Sequence, residues 1–185
     1  ITLGLINLKD QSEPFKILVG LLVFVFICEV TGRYIGSFLK LSYFPYHILI
    51  LISIMGHTFF FLYSYPKLTR LRLKIKISSG LLVLLNIFIS FKIQPVLIFP
   101  SFGIMLLSGF VIGLSLLHYQ ILLTNPSTEN IFKSPLFWFN SGNLVFYTLT
   151  FFIFGYFSPL WNIGFIYPDW IFHLIWLANM IMYCS

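Results

Sequence analysis

The sequence predicts an all-α protein, a polytopic bundle of transmembrane helices forming a single domain over residues 1–185. Three observations carry that reading. Only 9% of the 185 residues are charged while 59% are hydrophobic, against roughly 25% charged in soluble domains. Six long apolar segments follow one another along the chain, and the breaks between them hold most of the prolines. The ten-residue alternating strands of a membrane β-barrel, the other way to satisfy backbone hydrogen bonds in lipid, do not occur. Eleven Lys or Arg and five Asp or Glu cannot clothe a water-facing surface. The composition therefore excludes a soluble enzyme, a disordered tail, a disulfide scaffold and a nucleic-acid binder. The net charge of +6 belongs instead to the loops of a membrane protein.

The segments are expected at about residues 16–39, 43–65, 77–93, 101–124, 136–157 and 170–185. Most reach the ~20 residues needed to cross a ~30 Å hydrocarbon core at 1.5 Å per residue. The third is shorter, which fits either a helix with little tilt or one inside the bundle. Pro14, Pro45, Pro66, Pro95, Pro100, Pro126, Pro135, Pro159 and Pro168 fall at or near segment ends, where a missing N–H costs least. Ser134-Pro135 reads as an N-cap with proline in the first turn, and Asn125-Pro126-Ser127 as a helix stop. Tyr43, Tyr46, Tyr63, Tyr65, Trp161, Tyr167 and Trp170 stand where interfacial aromatic belts are expected. Cys28 and Cys184 lie in apolar runs without ligand spacing and read as buried thiols.

Orientation follows from the basic residues. Lys67, Arg70, Arg72, Lys74 and Lys76 crowd the connection between the second and third spans, which the positive-inside rule makes cytoplasmic. Alternation then puts Lys9, Lys16 and Lys133 inside, leaves Lys40 and Lys92 outside, and sends the C-terminus into the cytoplasm. The chain opens at Ile1 without Met, and Ile1 to Leu5 looks like the tail of a preceding helix. The expected parent thus has seven spans. No signal peptide is visible.

Polar groups within spans are the default site hypotheses, because they are costly in hydrocarbon. Glu29 and Arg33 stand at i,i+4 in the first span. They read either as an ion pair that fixes packing or as the lining of a polar cavity. His57 and His118 sit mid-span on different helices. Hydrogen bonding is expected of them rather than haem or metal ligation, since no third ligand has suitable spacing. His47 and His173 lie near the outer interface, where solvent contact accounts for them. Asn140, Asn143 and Tyr147, with Ser141 beside them and Trp138 before, form one polar stripe on the fifth span. It reads as interhelical hydrogen bonding or as a pocket wall, and Asn86 and Asn179 are able to complete either arrangement. Gly32-x-x-x-Gly36 and Gly109-x-x-x-Gly113 permit close helix approach. No catalytic constellation, cofactor motif or inverted repeat is visible.

The stretch Ser134-Pro-Leu-Phe-Trp-Phe-Asn-Ser-Gly-Asn-Leu-Val-Phe-Tyr147 resembles a signature of an uncharacterised family of seven-helix membrane proteins from Bacteroidota. Leu8-Lys-Asp with Pro14-Phe-Lys is similar to that family's first cytoplasmic loop. Phe26-Ile-Cys-Glu29 through Leu39 is similar to its second helix, and Tyr46-His-Ile-Leu to its third. The family occurs alone and as the membrane part of sensor kinases. The resemblance implies a membrane-embedded sensing or accessory module from a bacterial inner membrane and no known ligand; the signature does not dictate Asn140 or Asn143, so it assigns them no family role. The expected function is a sensor-like or signalling module, with the lipid bilayer, a membrane-protein partner or second copy, and a cytoplasmic signalling protein as partners. Its cavity is expected to draw on Glu29, Arg33, His57, His118, Asn140, Asn143 and Tyr147. The alternatives are an accessory subunit of a membrane complex and, behind it, a small channel or transporter. No enzyme, metal, cofactor or nucleic-acid role is expected.

Overall fold

The computed structural model describes residues 13–32, 34–35, 42–65, 69–124, 131, 134–161, 173 and 177. Among these, every regular element is helical: α1 (Glu13–Gly32), α2 (Phe44–Ser64), α3 (Thr69–Lys92), α4 (Ser101–Thr124) and α5 (Pro135–Trp161). Each carries a stretch long and apolar enough to cross a membrane. The sixth segment expected at 170–185 and the stub at residues 1–5 lie outside the described residues, apart from His173 and Leu177, which are helical and exposed.

Several boundaries follow from local chemistry. Proline stands in the first turn of α2 and opens α5, where its absent N–H breaks no helical bond. α4 stops at Thr124, immediately before Asn125-Pro126. The α-helix of the first segment ends at Gly32, earlier than the expected 39, with a wider π turn at residues 34–35. α5 runs past Pro159 to Trp161, so that proline does not mark the helix end.

The third segment needs the largest correction. It is a 24-residue helix that starts at Thr69 rather than 77, so Arg70, Arg72, Lys74 and Lys76 ride on its first two turns instead of in a loop. The run Thr69-Arg-Leu-Arg-Leu-Lys-Ile-Lys-Ile77 alternates as a strand would. Helix prevails because a span with no neighbouring strand must satisfy its backbone bonds within itself, and because Leu, Arg and Lys are good helix formers. Nor is α3 an interior helix. Only 17% of its apolar stretch is buried, against 50% for α2. Ile75, Ser79, Asn86 and Ile89 make a narrow inward stripe, while Leu73, Leu81, Leu84, Phe88 and Phe91 face outward.

The chain divides into two compact units, residues 1–103 and 104–185. In the first, α2 packs on both α1 and α3. The α1–α2 seam is antiparallel. Phe15 meets Phe60 edge-on at 6.4 Å, Leu21 lies over Gly56, and the Tyr46 ring lies over Gly32. A Cβ on Gly32 would stand 2.5 Å from that ring, so the first glycine of the Gly32-x-x-x-Gly36 pattern serves internal packing. In the second unit, α4 and α5 run antiparallel. Met105 lies at Gly155, Phe151 at Gly109, and the Tyr119 and Phe137 rings meet edge-on at 5.9 Å. Gly113 faces open space.

Burial differs from that of a water-soluble protein, with polar side chains sharing the interior with apolar ones. Phe91, Leu123, Phe152 and Leu84 are largely exposed, while Ser108, Ser115, His118, Asn86 and Asn143 are buried. Contiguous exposed apolar surface on this scale is foreign to soluble monomers and suits a lipid-facing exterior.

Candidate functional site

The buried polar groups fall into two sets with different bonding. In the first unit they knot the start of α2 and the end of α3 to the turn that leads into α4. His47 was expected to be solvent-exposed at the interface. It is instead 5% exposed, with Nδ1 2.7 Å from Ser90 Oγ and Nε2 3.2 Å from the Ile98 carbonyl. The correction has a simple cause: residues 93–100 fold back over the start of α2. The Tyr43 N–H donates to the Val96 carbonyl at 2.7 Å, and Phe99 packs on Tyr43 and Tyr46. Since a carbonyl only accepts, Nε2 carries the hydrogen, and neutral Nδ1 accepts from Ser90. Gln94 completes the knot. Its Nε2 donates to Ser101 Oγ at 2.9 Å, and its Oε1 accepts the Phe102 N–H at 3.0 Å, which caps α4 from outside the helix.

Further along α2, His57 is buried, and its Nδ1–H donates to the Ser53 carbonyl one turn back, at 2.8 Å. Asn86 likewise donates to Leu82 on its own helix, while its Oδ1 lies so near Gly103 that a Cβ there would stand 2.7 Å away. Glu29 is half-buried on α1. Its expected pairing with Arg33 falls outside the described residues, as does Asn179.

The second set lies on α4 and α5. The sequence singled out Asn140, Asn143 and Tyr147, and all three are buried on one face of α5, with Thr150 extending the stripe. α4 carries a matching stripe of Ser108, Ser115 and His118, equally buried, with Val111 between them. Sequence reasoning passed over Ser108, Ser115 and Thr150, because single hydroxyl residues are ordinary in apolar helices. The available signal was spacing: 108, 111, 115, 118 on α4 repeats the steps of 140, 143, 147, 150 on α5, one helix face each time.

The contacts along the α4–α5 seam fix how these stripes stand. Met105 faces Gly155, Gly109 faces Phe151, and Tyr119 Oη lies 2.6 Å from Ser141 Oγ. At about 100° per residue, both polar stripes turn from that seam toward the same side of the helix pair. The register brings Ser115 and His118 level with Asn143. That side carries no formal charge, since neither 101–124 nor 134–161 holds Asp, Glu, Lys or Arg.

Most donors on this side are bonded within their own helix. Ser108 donates to Ile104, Thr150 to Phe146, and Asn140 Nδ2 to Leu136. Such bonds satisfy a hydroxyl or amide without tying helices together. Asn143 differs: its Oδ1 is buried and accepts no hydrogen bond. An acceptor left so is unfavourable by about 1–3 kcal/mol. Among the described residues, no group of three or more His, Cys, Asp or Glu stands close enough to hold a metal ion.

Comparison of the chain with protein-family models, curated proteins and solved structures returns no match. What the fold and the site define is a class: a helical protein with apolar helices of membrane-crossing length, and an uncharged polar side shared by α4 and α5.

Proposed function

We propose that the chain is a sensor-like or signalling membrane module. It crosses a bacterial inner membrane several times, keeps α3's basic turns and the C-terminus in the cytoplasm, and belongs with the Bacteroidota family that its fifth segment resembles. The observation that supports this most is the polar side of α4 and α5. A protein that only anchors others has no need of an uncharged, buried polar surface with an unfilled acceptor in helices of membrane-crossing length. Ligand engagement there changes how α4 and α5 pack, and the change passes along α5 to the segment that follows. Glu29, in the last turn of α1, and His57 on α2 are the further polar groups of the first unit.

Two measurements test the proposal. With cysteine replacing Lys76, a membrane-impermeant thiol reagent should label inverted vesicles and spare right-side-out ones; the reverse pattern overturns the orientation. Protein extracted gently from native membranes should run as a monodisperse monomer or dimer. A stoichiometric complex with other membrane proteins would favour the second reading, an accessory subunit, for which the outward apolar row Leu73, Leu81, Leu84, Phe88 and Phe91 on α3 supplies a surface.

A further inference from the structure

We propose that the polar side of α4 and α5 binds a neutral organic hydrogen-bond donor, an alcohol hydroxyl or an amide N–H on an apolar body, with Asn143 Oδ1 as the acceptor. The proposal rests on the reading of that side as a ligand-responsive surface and names what it takes.

Four observations converge on this chemistry. Asn143 is 3% exposed, and its Oδ1 has no hydrogen-bond partner, so what is missing is a donor. Neither helix offers a charge, since Asp, Glu, Lys and Arg are absent from both. An ionic ligand would enter without a counter-charge at a large desolvation cost, and the ligand is therefore neutral. Ser108, Thr150 and Asn140 already donate to carbonyls of their own helices. A trapped water, held by two to four polar partners, is the competing donor, since Ser115 and His118 stand level with Asn143; an alcohol differs from it in needing one acceptor and apolar company. Val111, Leu114 and Phe139, all buried, lie on these same two helices and supply that company. Finally, Asn143 falls near the middle of the apolar stretch Pro135–Tyr156, a depth reached from the bilayer by an amphiphile more readily than by a polar solute.

The test uses the full chain in lipid nanodiscs with 1-octanol as the probe, octyl methyl ether as the match that lacks a donor, and octylammonium as the charged match. Octanol should raise the thermal midpoint saturably by several degrees, and the other two should leave it unchanged. Asn143→Leu should abolish the octanol response, while Thr124→Ala, at the exposed end of α4, should keep it. Equal responses to octanol and the ether, or an undiminished response in Asn143→Leu, would overturn the proposal. Infrared spectra of wild-type protein carrying 13C in its asparagine side-chain carbonyls stand apart from any folding defect of the variants. Octanol should move one component of the band to lower frequency. A component already at low frequency before octanol is added, and unmoved by it, assigns the donor to a trapped water and overturns the organic ligand. If the membrane reading itself is wrong, the chain will fail to enter nanodiscs; if only this proposal is wrong, an embedded, folded protein will ignore octanol.

Discussion

Gln94 and Asn143 carry the same functional group, and both are buried, yet they spend it differently. Gln94 sits in the turn before α4, where the backbone has left helical geometry. Its amide is committed at both ends, to Ser101 and to the Phe102 N–H. Asn143 sits inside α5, where the helix already satisfies the backbone, and its Oδ1 accepts nothing. The surroundings repeat the contrast. His47, Ser90, Ile98 and Val96 bond across elements far apart in sequence, whereas Ser108, Asn140 and Thr150 bond to their own helices one turn back. Turns must recruit side chains to satisfy orphan backbone groups, so polar residues there are structural cement. Polar residues inside a helix are relieved of that duty and remain open to other chemistry.

The contrast is breakable, beginning with the largest effect. Gln94→Leu removes both bonds and leaves the Phe102 N–H and Ser101 hydroxyl wanting partners in a buried site, so unfolding in mixed detergent should show a loss of about 2–3 kcal/mol. Gly103→Ala forces the Asn86 amide and Ile50 aside, contacts that a Cβ would meet at 2.7 and 2.9 Å. It should cost about 1–2 kcal/mol by the same measurement, as over-packing does. A double-mutant cycle on His47→Ala and Ser90→Ala should return a coupling of about 1 kcal/mol; a value near zero would remove His47 from the knot. Asn140→Ala should cost less than about 1 kcal/mol, because the bond it loses is local. Smallest of all, Lys16→Ala breaks the exposed 2.9 Å pair with Glu13 and should stay within about 0.5 kcal/mol, as surface ion pairs do. If Asn140→Ala proves costlier than Gln94→Leu, the distinction between the two regions fails.

Legibility in the sequence followed the same division. The α2 and α4 boundaries were readable to within a residue, because apolar length and proline placement are one-dimensional signals. The start of α3 was not, since its basic turns break the apolar run while leaving the helix intact. On α5, the stripe of Asn140, Asn143 and Tyr147 was readable as periodicity within one helix. Its counterpart on α4 and the knot around His47 involve partners tens of residues away, from His47 to Ile98 and from Tyr119 to Ser141. No local pattern announces such pairings.

By itself the sequence determined the class of fold, the existence and approximate limits of the helices and which residues are polar within them, because each depends on local composition and on the demand that a backbone in apolar surroundings bond to itself. Tertiary structure alone decided that His47 is interior, that α3 is the least buried of the five apolar helices, and that the stripes of α4 and α5 turn to a common side with Asn143 left unanswered. Those outcomes depend on register and on chain folding back over itself, and in a composition that is apolar almost everywhere, hydropathy cannot choose between one helix face and another.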